Sequence, residues 1–160
     1  VVFDNTYPIY VIKFINIHPA TDQPTFQFNL SADGGSNYNV TKTSSYFRSH
    51  HNEGDTETIV GYDTSLDLAQ STGNQIITSA VGGDNDQCMN GTLFIFNPSS
   101  TTFVKHFIGH SVIAEGSNFI RDDYYGGYGN TTSAVNAISF QMSSGNIETG
   151  TIKLYGLKDS

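Results

Sequence analysis

The sequence has one cysteine, Cys88, no tryptophan and four prolines in 160 residues. A lone cysteine excludes an intrachain disulfide, so stability must come from packing or from partner chains. Beside Met89, it reads as a small core or loop residue rather than a nucleophile. Charge is also scarce, at 14% of residues against the usual quarter. What charge there is leans acidic, with 7 Lys and Arg against 15 Asp and Glu and a formal net charge of -8. Such a surface repels phosphate backbones, which argues against nucleic acid as a partner. No run approaches the roughly 20 apolar residues of a membrane-spanning helix, and the opening residues do not read as a signal peptide. The chain starts at Val1 rather than Met, as expected of a processed chain or of part of a longer one.

What is abundant points to β-structure. Phe (11), Tyr (9) and Gly (16) accompany many Ser, Thr and Asn residues, the profile of strands joined by polar turns. Ile9 to Ile17 is β-branched and aromatic, apolar on both faces except at Lys13 and Asn16, and is expected to end at His18-Pro19. Thr25 to Leu30 alternates, with Phe26, Phe28 and Leu30 on one face. Tyr38 to Thr43, Tyr46 to His50, Glu57 to Tyr62 and Gln75 to Ala80 read as shorter strands. Thr92 to Asn97 and Thr102 to Ile108 form a hairpin across Asn97-Pro98-Ser99-Ser100. Ile120 to Gly129 is aromatic and glycine-rich, Ala134 to Met142 alternates, and Thr151 to Tyr155 closes the chain. Ser65 and Asp67 are placed to cap a single helical turn, and no longer helix is predicted. With no linker and no internal repeat, residues 1-160 are expected to form one all-β domain, an antiparallel, jelly-roll-like β-sandwich.

Polar clusters suggest little chemistry. His50-His51 with Glu53, Asp55 and Glu57 resembles a metal cluster, but neighbouring strand residues face opposite ways. Asp84-Asn85-Asp86 lacks the full spacing of a calcium loop. Asp122-Asp123 beside Arg121 suggests paired carboxylates, which alternation again separates. No GxSxG motif and no phosphate-binding glycine loop is present, so no catalytic residue, metal ligand or cofactor is expected. The sequon matches at Asn39, Asn90 and Asn130 are near chance in a chain this rich in Asn and Thr. The best candidate contact surface is Tyr124, Tyr125 and Tyr128, spaced by glycines. Flat rings there would stack on sugars or anchor a subunit contact, the ordinary alternative being that one or two fill the core.

Four segments together resemble structural proteins of tailed phages, especially phages of marine bacteria. They are FINIHPATD (Phe14 to Asp22), FNLSADGGSNYN (Phe28 to Asn39), LFIFNPSSTTFVKHFI (Leu93 to Ile108) and YGNTTSAVNAISFQMSSGNIETGTIKLYGL (Tyr128 to Leu157). The resemblance spans nearly the whole chain, and its last phrase is the most specific. It implies a virion component on the head or tail surface, of tail-fibre, head-fibre or decoration type, forming the C-terminal part of a longer polypeptide. A homo-oligomer, with a trimer favoured, and contact with other virion proteins are then expected. Ile9 to Ile17 and Thr151 to Tyr155 are the candidate subunit contacts. The resemblance carries no catalytic motif, so no enzyme is expected. The alternative reading is an adhesin that binds host surface glycans. Membrane association is not expected.

Overall fold

The computed structural model describes residues 2-158, so Val1, Asp159 and Ser160 of the expected domain lie outside the described residues. The chain is all-β, with no helix among the described residues. Its strands are β1 (Ile9–Pro19), β2 (Phe26–Ser31), β3 (Lys42–Asn52), β4 (Thr58–Tyr62), β5 (Gln75–Thr78), β6 (Met89–Phe96), β7 (Lys105–Glu115), β8 (Phe119–Gly129), β9 (Ala137–Met142) and β10 (Ile147–Leu157). They form two antiparallel sheets packed as a sandwich, one in the order β10-β1-β6-β7-β8-β3-β4 and the other in the order β5-β2-β9.

The core lies between the sheets and is built from alternate residues. Tyr10, Ile12 and Phe14 of β1 point inward with Leu93 and Ile95 of β6, Phe107 of β7, and Tyr46 of β3. The small sheet answers with Phe26, Phe28, Leu30, Ile77 and Ile138, all buried. Rings meet edge to face across the gap, Phe14 with Phe26 at 5.3 Å and Phe28 with Phe107 at 5.2 Å, a geometry that adds about 0.5–1.5 kcal/mol per pair beyond area burial.

A buried polar tie joins β5 to the large sheet. Arg121 Nε donates to both carboxylate oxygens of Asp123 at 2.9 and 3.1 Å, and Thr78 Oγ1 donates to the same carboxylate at 2.6 Å. The hydroxyls of Tyr46 and Ser111 both donate to the Ile77 carbonyl. Asp123 is thus paired and saturated, which lets a carboxylate sit in a dry core.

Some local expectations need correction. Tyr38 to Thr43 and Tyr46 to His50 are not two strands: β3 runs unbroken from Lys42, paired along its whole length with β8. The segment around Ser65 and Asp67 makes turns and no helix. Asp63 organises it by accepting from the Ser65 amide and hydroxyl, while Asp67 accepts from the Tyr62 hydroxyl. β1 continues through His18 to Pro19, because a bulge after Ile15 shifts its register, with Asn16 at φ 50°. Val11, on the outward side of β1, is nevertheless buried, lying in register between Phe94 and Tyr155.

Lys42 is fully buried, with its ammonium donating to Asn29 Oδ1 and the Val40 carbonyl. Burial pulls its pKa down to about 8. Between pH 8 and 10 the unfolded chain therefore holds a proton there that the folded chain lacks, so stability rises with pH by about 2 kcal/mol. Above pH 10 the trend reverses, because burial holds the Tyr46 and Tyr125 phenols above their ordinary range and only the unfolded chain releases those protons. Urea unfolding from pH 7 to 11 is expected to show this maximum, and Lys42→Met is expected to shrink the rising limb to what the buried Lys105, lowered in the same direction, contributes.

Candidate functional site

The small sheet covers only the inner face of the large one, which leaves the outer face open. Strand register decides what that face carries. Lys153 of β10 lies opposite Lys13 of β1, and Lys13 opposite Thr92 of β6. The row continues through His110 of β7, Tyr124 of β8 and Phe47 of β3 to Tyr62 of β4. A parallel row runs Tyr155, Val11, Phe94, Ile108, Gly126, Ser45. Directly opposed residues of an antiparallel pair share a face, so each row is a continuous stripe across the sheet.

Between the stripes lies a groove of about 540 Å³. Phe94, Ile108, Tyr124 and Phe47 wall it, Gly126 and Ser45 leave its floor low, and Lys13 closes one end. Several rings are fixed in place. His110 stacks on Tyr124 at 4.2 Å and 12°, and Phe47 meets Tyr62 at right angles at 5.1 Å. His110 Nε2 also hydrogen-bonds to Asp122 Oδ1, which pins the imidazole from its free side. The Lys13 ammonium donates to Thr92 Oγ1 at 2.8 Å, which draws the side chain over the sheet towards the groove.

The three tyrosines singled out in the sequence part company here. Tyr124 is 51% exposed and forms a wall of the groove. Tyr125 is 3% exposed and points into the core, stacked on Tyr46 at 6.0 Å. Its ring lies so close over Gly109 that a Cβ there would be 2.2 Å from Tyr125 Cζ. Among the described residues its hydroxyl has no hydrogen-bond partner, and although Tyr125 is one of the groove-lining residues, its ring lies in the core. Tyr128 returns to the outer face, half-buried near His106 with ring centroids 6.2 Å apart, and is not among the groove residues. The companions of Tyr124 are instead Phe47, Phe94 and Ile108, which sequence reasoning missed. Their signal was present as alternation in β3, β6 and β7, but only the sheet order brings them together.

The other polar clusters are also separated by alternation. His50 contacts Glu57 at 3.3 Å and His51 contacts Asp55 at 3.0 Å, from opposite faces of β3. Asp122 faces outward to His110, while Asp123 faces inward to Arg121. A second cleft, about 450 Å³, collects Glu53, Asp84, Asp86 and Glu115. Among the described residues no group of three or more His, Cys, Asp or Glu side chains is placed to hold a metal ion.

The chain matches no protein-family model, no curated protein and no solved structure.

The separation of Tyr124 from Tyr125 has a direct test. Tyr125→Ala is expected to cost about 3–5 kcal/mol, as for other large core rings. Tyr124→Ala is expected to stay within about 1 kcal/mol of wild type, because its ring faces water. Chemical denaturation of the two variants checks both values.

Proposed function

We propose that this chain is a surface component of a phage particle, of tail-fibre, head-fibre or decoration type, that works by assembly and binding rather than by catalysis. The phage resemblance supplies the virion setting. The observation that carries the assembly part is β10. Among the described residues it is an edge strand with no strand beyond it, and it displays Leu154, Tyr155 and Leu157, each more than a third exposed. Open, apolar edges invite pairing with another chain, and symmetric association is the usual way a structural protein covers them. β1, the other expected subunit contact, is flanked by β10 and β6 and has no free edge, so the assembly surface on this side is β10 itself.

A trimer or another closed homo-oligomer is the expected state. Analytical ultracentrifugation at micromolar concentration reads it directly. The expected result is an oligomer that Leu154→Glu shifts towards monomer, and a wild-type monomer across the concentration range overturns the assembly reading. Antibody raised against this domain is expected to label the head or the tail of intact particles, and the site of labelling distinguishes decoration from fibre.

A second reading, recognition of host surface glycan, is favoured by the groove. Solvent-facing rings held in fixed orientations, beside the hydroxyls of Ser45 and Thr92, are the means by which β-sheet surfaces hold sugars. In this reading the oligomer edge assembles the particle while the outer face meets the host.

A further inference from the structure

We infer that the groove takes an acidic carbohydrate, an oligosaccharide whose carboxylate or sulfate is met by Lys13 and Lys153. This rests on the glycan reading of the groove and adds the chemical class of ligand.

The first argument is the distribution of charge. The protein has 15 acidic residues, yet among the described residues none lines this groove, whereas the second cleft gathers four of them. Asp122, the closest acid by register, is engaged with His110. The basic side chains are spent differently. Lys42, Lys105 and Arg121 are buried, Arg48 pairs with Asp63 at 3.2 Å, and Lys158 is exposed in a separate cleft with Tyr7 and Ser99. Lys13 and Lys153 are exposed, and among the described residues neither has an acidic partner.

The second argument is their placement. The two lysines are directly opposed across β1 and β10, and like charges so placed repel and destabilise the pair. A protein with only seven Lys and Arg residues has set one of them, Lys13, at the end of this groove and a second, Lys153, opposite it on the next strand. An anion between the two ammonium groups turns that repulsion into attraction. Lys13 is already drawn towards the groove by Thr92.

The third argument is the shape of the rest. From Lys13 to Phe47 the row crosses four strand-to-strand steps, about 19 Å at the usual strand spacing. That length suits an extended oligosaccharide, with the acidic unit at the lysines and the following rings over Phe94, Tyr124 and Phe47. A densely charged polymer is a poorer fit, because the net charge of -8 repels it beyond the two lysines.

The test is an array of uronic-acid, sialic-acid, sulfated and neutral oligosaccharides, with polyglutamate as an acidic polymer that is not a sugar, followed by titration of the hits. Binding is expected only among the acidic sugars, and the carboxylated and sulfated members show which anion is preferred. Lys13→Gln with Lys153→Gln is expected to weaken it at least tenfold and to flatten its salt dependence. Gly126→Val raises the groove floor and is expected to abolish binding. A Cβ at that position meets Ile108 Cγ2 at 3.4 Å, so the backbone admits a side chain there, and a cooperative urea transition is required of the variant before its binding is read. Binding of neutral sugars that ignores the lysines but is lost in Gly126→Val overturns the acidic ligand while leaving the glycan reading intact. No binding to any sugar overturns both, and equal binding of polyglutamate reduces the lysines to a non-specific anion patch.

Discussion

A β-strand has two faces, and in this molecule the covering sheet has three strands against seven. The inner face of the large sheet is dry and filled with rings. The outer face has nothing over it, yet it still carries Phe47, Tyr62, Ile108 and Tyr124 in solvent. An exposed apolar face of this kind costs solubility and stays in a protein where it contacts something. The groove, the edge at β10 and the split among the tyrosines all follow from this uneven cover.

The second constraint is polar. β5 is only four residues long, and it is held by hydrogen bonds as well as by packing. Thr78 reaches the Asp123 carboxylate, and the Ile77 carbonyl accepts two hydroxyls from the large sheet. Because Asp123 is also held by Arg121, the ion pair and the small sheet stabilise one another. Removing either partner would leave a charge in the core, a loss of about 3–5 kcal/mol. Asp122, one residue earlier, lies on the other face and bonds to His110 beside the groove. Two adjacent aspartates thus serve the core and the outer surface separately.

The edge and the outer face offer different chemistry. The edge at β10 offers backbone groups and apolar side chains, which suit a copy of the same chain. The face offers oriented rings and two lysines that, among the described residues, have no acidic partner, which suit a ligand that is partly flat and partly charged. Lys153 belongs to both regions, since it lies on the edge strand and points to the outer face.

Much of the fold was legible in the residues. Alternation of Phe26, Phe28 and Leu30, the hairpin on either side of Asn97-Pro98 and the strand of Ile9 to Ile17 all follow from β-propensity and turn chemistry, and all lie where expected. The helical turn near Ser65 was a local cap signal with no apolar helix behind it, and Asp63 used the same polar groups for a tight turn. Of the candidate site, Tyr124 was legible and its neighbours were not. Sequence determined which residues alternate, and hence that Tyr124 and Tyr125 must face opposite ways. It could not say which of those ways is out, because that depends on which face the small sheet covers. Nor could it bring together Lys153, Lys13, His110, Tyr124 and Phe47, which come from five strands far apart in the chain. Their row exists only because the sheet order and register align them, and those are set by long-range pairing and core packing rather than by any local preference.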